Sequence, residues 1–172
     1  MSDMIAKTKY GDWAMLAVGD PPWHSHVKKV FPASTWLSVD ESLEWSGANI
    51  EMKTAPLATT AADDKDFMPG FVVGERAVYR DDNKEIVGVI GPRTYLLQNV
   101  DAFRWFEPFI SSKQAKIESA GLLQNGAKVW VLARIVNQGL EVVKDDKVEQ
   151  FLLLSNSHDG SMSVRVGLTF VR

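Results

Sequence analysis

Short runs of branched and aromatic residues, broken by Gly, Pro and Asn-Gly, set the pattern of this chain most clearly between Glu85 and Ile135. Ile86, Val87, Val89 and Ile90 read as a strand ended by Gly91-Pro92, and Val129, Trp130, Val131 and Leu132 as another that returns from Asn125-Gly126. Such runs suit the pleated, half-buried surface of a sheet, and Asn-Gly is the strongest short-range hairpin signal. Between them Val100, Phe103, Phe106 and either Phe109 or Ile110 recur at helical spacing. They predict a helix from Asp101 to about Lys113, capped by Asn99 or Asp101, with a stripe that must be buried. Pro108 has no amide donor and should kink or restart it.

Upstream, residues 1–19 are of mixed polarity and predict an N-terminal arm that docks a few apolar side chains, among them Trp13, Met15, Leu16 and Val18. Pro21-Pro22 excludes a helix there. Ser38-Val39-Asp40-Glu41 has the form of a capping box, which predicts a short helix burying Val39 and Leu43 and ending at Gly47. Ile50, Met52 and Thr54 then alternate with charged or small residues, the period of a half-buried strand, which Pro56 should stop. Residues 58–70 are small, acidic and aperiodic, and predict an exposed loop. A hairpin should follow, with strands at 77–80 and 85–87 around the turn formers Asp81-Asp82-Asn83-Lys84.

Residues 116–123 and 127–136 form the next hairpin, with further turns expected at 137–139 and 144–147. The last hairpin pairs 150–155 with 163–172 through Asn156-Ser157-His158-Asp159-Gly160-Ser161. Consecutive hairpins and two separated helices predict one α+β domain over residues 1–172. Its mainly antiparallel sheet would be covered on one face by the helices.

Composition narrows the classes. The chain has 172 residues, 45% apolar, with a formal charge of -3, so it can bury a real core but has no overall basic field to hold nucleic acid or an anionic membrane. Any such binding must come from a local patch. Cysteine is absent, which removes disulfides, thiolate metal sites and cysteine nucleophiles. No apolar run approaches the roughly 20 residues of a membrane span, and the first residues lack the apolar centre of a secretion signal. The expectation is a cytoplasmic protein without membrane contact.

Candidate chemistry is sparse. His24 and His26 would share one side of an extended strand and could supply two metal ligands, but only His158 remains as a third histidine, so surface or turn histidines are the simpler reading and no cofactor is expected. Ser157, His158 and Asp159 are adjacent in a turn, where nucleophile, base and orienting group cannot approach from the required directions. An Asx-rich turn with Asn156 explains them, although the motif keeps a functional interest. Glycine spacings fit no phosphate-cradling loop.

What remains is a set of cations and aromatics on the hairpins: Arg93, Lys128, Trp130, Arg134, Arg165 and Arg172. Lys128, Trp130, Leu132 and Arg134 fall on one face of a strand, a pattern that can track a single nucleic-acid strand by stacking and phosphate contact. It equally fits a buried Trp130 whose flanking cations reach outward.

Several segments together resemble a known family: Pro21-Pro22-Trp23-His24, Met52-Lys53-Thr54-Ala55-Pro56-Leu57, Val87-Gly88-Val89-Ile90-Gly91, Gln98-Asn99-Val100-Asp101-Ala102-Phe103, Lys128 to Arg134, and Leu154 to Ser161 with Val164-Arg165-Val166-Gly167. In content and order they are similar to the phage/plasmid-like proteins of the domain of unknown function 932, across nearly the whole chain. Members of that family usually continue beyond the equivalent of Val171-Arg172, so the resemblance is to their N-terminal part. A glycine-containing turn usually follows Trp-His, where this chain has Ser25-His26-Val27-Lys28.

The resemblance implies a mobile-element protein, and the first expectation is a non-catalytic protein that binds or anneals single-stranded DNA in replication or recombination. The alternative is an interaction module for a host or phage protein, or for a second copy of itself, through exposed hairpin edges and a surplus of aromatic residues. An enzyme using His158 and Asp159, or a metal at His24 and His26, ranks last.

Overall fold

In the computed structural model, residues 5, 14–19, 27, 29–59, 66, 68–136, 140–143 and 146–171 are described. The strands are β1 (Met15–Val18), β2 (Lys29–Phe31), β3 (Met52–Thr59), β4 (Gly70–Arg80), β5 (Ile86–Ile90), β6 (Ala115–Leu123), β7 (Lys128–Ile135), β8 (Leu140–Val143), β9 (Asp146–Ser157) and β10 (Arg165–Val171). Three short helices, α1 (Val39–Trp45), α2 (Asn99–Arg104) and α3 (Glu107–Ser111), complete an α+β fold.

The strands divide between two sheets. The larger runs in the order β10-β9-β7-β6-β1-β2, with β8 pairing the start of β9, and the smaller is β3-β4-β5. Pairing is antiparallel except between β1 and β2, where Leu16 lies beside Lys29 in parallel. Register places Leu16, Ala120, Val131 and Leu154 in one row across four strands, and all four are buried. With Leu122, Val129 and Ala133 they form a wall on which Val39, Leu43, Phe103, Phe106 and Ile110 of the helical segments pack. Burying each large apolar side chain contributes about 1.5–3 kcal/mol, so this layer dominates the stability.

The local signals behave as their chemistry requires. Ser38 accepts from the amide of Glu41 while the Glu41 carboxylate accepts from the amide of Ser38, and Gly47 adopts a φ of 73° just past the helix. The helical stripe around Phe103 is buried, but it belongs to two helices restarted just before Pro108. Neither expected side-chain cap forms on α2: Gln98 occupies the cap position without a capping bond, and the Asn99 amide is engaged elsewhere. The β6–β7 turn runs Gln124, Asn125, Gly126 with φ of 51°, 56° and 94°.

Two expectations need correction. Met15–Val18 is not part of a docked arm but an interior strand between β6 and β2, buried at every position. Pro56 does not stop its strand: β3 continues to Thr59 with a register shift between Pro56 and Ala58, tolerable because, among the described residues, β3 is an edge strand, where proline is accommodated. The loop expected over 58–70 is shortened accordingly. The turn expected at 137–139 lies outside the described residues, as do residues 144 and 145 of the turn expected at 144–147, though β8 and β9 do pair antiparallel.

Among the described residues, the small sheet has a small buried cluster of Met52, Val78 and Ile90, with Ile50, Val87 and Leu96 packed against it. Polar groups tie it to the rest. The Gln98 side chain accepts from Met52 N at 3.0 Å and donates to Met52 O at 2.9 Å, imitating a paired strand. Arg80 is buried, donates to both oxygens of Asp82 at 2.9 and 2.7 Å, and reaches the carbonyl of Asn125 at 3.0 Å. Backbone contact is close as well, since a Cβ on Gly88 would stand 2.3 Å from Cα of Asp159.

Candidate functional site

Two groups of the sequence-predicted residues can be built up from their surroundings. The first is the turn after β9. His158 is 1% exposed, its amide donates to the carbonyl of Ala127 at 2.7 Å, and its Nε2 lies 2.7 Å from Oδ1 of Asn99. Because the Asn99 amide nitrogen donates to the carbonyl of Ala48, its oxygen must accept, which assigns the proton to Nε2 of His158. Nδ1 is then a lone pair with no hydrogen-bond partner. Burial pushes the His158 pKa down to about 4, against the charge of Asp159, so the ring is neutral near pH 7.

The other members of the turn face elsewhere. The Ser157 hydroxyl donates to the carbonyl of Met162 and accepts from its amide, at 2.8 and 3.0 Å. Asp159 accepts from the amide of Ser161 at 2.8 Å. Burial would raise the Asp159 carboxyl, but hydrogen bonds from Ser161 and Ser157, with the charge of Lys128, hold it below the usual carboxylate range. Asn156 is buried and donates to the carbonyl of Leu97. His158 is therefore bonded to Asn99 and Ala127 and to neither Ser157 nor Asp159, and the motif joins β9, α2, the segment after α1 and the β6–β7 turn.

The second group lies on the face of the large sheet opposite the helices. Register aligns Arg165, Ser155, Trp130, Gly121 and Met15 in one row. Trp130 is half-buried because its ring lies over Gly121, where a Cβ would meet the indole at 2.3 Å. Its ring is thus partly covered, with Lys128 and Arg134 on the same strand and Arg165 two strands away in the row. Lys128 is half-buried, Arg165 is exposed, and Arg134 at the far end of β7 is held by Glu118 at 2.8 Å and Glu149 at 3.0 Å. Burial opposes the Arg134 charge, but these two carboxylates outweigh it and raise its pKa.

Arg93 is not on this face; it is exposed in the turn after β5, on the small sheet. Arg172, His24 and His26 lie outside the described residues. Among the described residues no group of three or more His, Asp or Glu could hold a metal ion.

Two residues that the sequence did not single out belong beside Arg134. Lys116 is its cross-strand partner, and Trp36 stands near the Lys116 ammonium. The only sequence signal for Lys116 was hairpin register. Counting back from Asn125-Gly126 puts Lys116 opposite Ile135, and a bulge between Ile117 and Ser119 moves it opposite Arg134.

The class so defined is a two-sheet α+β protein with one helix-covered face and one polar and aromatic face. More particularly, the chain belongs to the family described as Domain of unknown function (DUF932), whose match covers residues 87–172. That span holds α2, α3, β6 to β10 and the whole His158 turn, so the resemblance is to the C-terminal half of the chain and does not reach Pro21 to His24 or Met52 to Leu57. No curated protein and no solved structure matches the chain. Among the described residues no helix is long and apolar enough to cross a membrane.

Proposed function

We propose that this is a non-catalytic protein that binds single-stranded nucleic acid, in keeping with a role in replication or recombination of a mobile element, on the sheet face that carries Trp130. The carrying observation is the alignment of Arg165, Ser155 and Trp130 in one row, with Lys128 and Arg134 on the same strand as Trp130. A half-covered indole on a face that also carries cations offers a strand both a stacking surface and phosphate contacts, without requiring a basic molecule overall. Carboxylates on Arg134 would make the contacts few, so binding should be weak and fall with salt at a modest slope, which scales with the number of phosphates contacted. Titration of a labelled single-stranded oligonucleotide at low and moderate salt tests this. Binding that falls with salt, and falls further in Arg165→Ala, is expected; no binding at low salt overturns the reading.

A second reading, an interaction module for a protein partner or another copy, has its own support. On the edge strand β10 and just before it, Val164, Val166, Leu168 and Phe170 are all exposed at alternate positions. An uncovered apolar row beside unpaired backbone groups is a template for strand addition. Sedimentation of the parent and of Phe170→Lys separates the cases: a parent larger than a monomer that the variant dissociates favours this reading, and a strict monomer with no partner in a pull-down removes it.

A further inference from the structure

The face described above ends in a recess of about 360 Å³, whose lining includes Ser34, Trp36, Lys116, Arg134, Glu149 and Gln150. Its charges are unequally satisfied. Arg134 holds two carboxylates, one of which, Glu149, also lines the recess. Lys116 is 4% exposed, donates to the carbonyl of Ala33 and stands 6.0 Å from the centre of the Trp36 ring. No carboxylate among the described residues pairs with it. An ammonium has three donors, and a buried one normally finds an opposite charge, because taking an unpaired charge out of water is strongly unfavourable. Its recorded partners, a carbonyl and an indole face, carry no negative charge, and Lys116 lines an open recess whose one carboxylate, Glu149, is bonded to Arg134. At the rim, Trp36 keeps 43% of its surface exposed.

We infer that this recess takes one nucleotide unit, with its phosphate at Lys116 and its base against Trp36. The charge identifies an anion, and the indole beside it identifies a flat partner, since a ring stacks on a ring and a compact inorganic anion would leave Trp36 unused. The volume lies at the lower end of that of small-molecule sites and suits a single mononucleotide. Gln150 and Ser34 supply neutral hydrogen-bonding groups. The unit can be a free nucleoside monophosphate or one residue of a strand lying on the Trp130 face. The assignment rests in its second form on the single-strand reading.

Calorimetric titration of the full chain with thymidine monophosphate, thymidine, inorganic phosphate and a short oligothymidylate tests it. The monophosphate should bind, and thymidine and phosphate should each bind about tenfold more weakly or not at all, as expected when charge and stacking each contribute on the order of 1.4 kcal/mol. Lys116→Met and Trp36→Ala should each weaken the monophosphate by about tenfold or more. Lys116→Met removes an unpaired buried charge and should melt no lower than the parent; Trp36→Ala, at a part-exposed site, keeps the test open if it does. An oligonucleotide that binds parent and both variants alike, while the monophosphate fails to bind, overturns the recess and leaves the single-strand reading standing. A monophosphate that binds and is weakened by both variants, with an oligonucleotide that binds no better, supports the recess and removes that reading. No binding by either overturns both.

Discussion

On the large sheet, Leu16, Ala120, Val131 and Leu154 form a buried row under Phe103 and Phe106, whereas the buried apolar cluster of the small sheet, among the described residues, is Met52, Val78 and Ile90 with a few partly buried neighbours. Both are made of hairpins, yet the forces holding them differ. The first is stabilised by apolar area, which is non-directional and tolerant of exchange. The second has less apolar area and is positioned by directed bonds, the Gln98 amide on Met52 and the Arg80 guanidinium on Asp82 and Asn125, with the backbone of Asp159 packed closely on Gly88. Directed bonds specify orientation but lose most of their value when one partner goes.

The comparison fails first if the helices can be unpacked cheaply. Phe103→Ala leaves a void against the large sheet and should destabilise the protein by about 3–5 kcal/mol in denaturant unfolding. A loss below about 1 kcal/mol would mean that the apolar layer is not what holds the large sheet.

Acid tests the junction between the sheets. The His158 pKa is about 4 in the folded protein against 6.5 for the free side chain, so between those values the unfolded chain binds the proton and the folded one does not. Stability therefore rises with pH across that window, is complete above about 6.5, and is lost progressively as pH falls towards 4. The shift corresponds to a loss on the order of 3 kcal/mol. In His158→Gln this component should vanish, so melting temperatures of parent and variant should converge on acidification. Curves that stay parallel from pH 7 to about 4 would mean that His158 is not titrating from a buried, neutral state.

Arg80 is the sharper probe of the small sheet alone. Arg80→Met keeps the aliphatic stem but leaves Asp82 and the Asn125 carbonyl without their donor, and should cost about 2–3 kcal/mol, less than for a fully dry pair because Asp82 retains some exposure. Arg80 bonds first hold Asp82 below the usual carboxylate range. That stabilisation is present above the ordinary carboxylate pKa and is lost as pH falls through the lowered one, a window more acidic than that of His158. Hydrogen exchange should show β3 to β5 opening before β6 and β7 in this variant; uniform loss across both sheets would erase the distinction between them.

The same contrast explains what could be read from the amino-acid sequence. Features governed by neighbours in sequence were legible: the capping box at Ser38, the helical stripe through Phe103 and Phe106, the turns at 81–84 and 125–126, and the paired strands of the last hairpin. Met15-Leu16-Ala17-Val18 was not, because a strand buried on both faces has no alternation to detect. The division into two sheets was hidden as well, since it depends on partners such as Gln98 and Met52, 46 residues apart. In the candidate site, Trp130, Lys128 and Arg134 share a strand and were found by period. Lys116 and Trp36 come from other elements, and a one-residue bulge decides which side chain Lys116 meets. Arg93 was grouped with these cations by composition alone, and the fold places it on the other sheet.

The smallest expected effect isolates how much burial adds to a directed bond. The Ser38 and Glu41 pair over the large sheet is built like the Arg80 clamp, from side-chain and backbone hydrogen bonds, but it faces water. Ser38→Ala removes the acceptor of the Glu41 amide and should cost about 1 kcal/mol, roughly half the Arg80 effect, because water re-solvates the freed amide. The backbone bond from Ser38, followed by its hydroxyl, lowers the Glu41 pKa, so the part of this stabilisation that needs the carboxylate is present above the ordinary carboxylate range and fades as pH falls through the lowered value. Chemical unfolding of Ser38→Ala and Arg80→Met, side by side at neutral pH, measures the difference. Equal losses would show that the small sheet gains nothing from enclosing its polar clamp, and the two sheets would then be held by one kind of force rather than two.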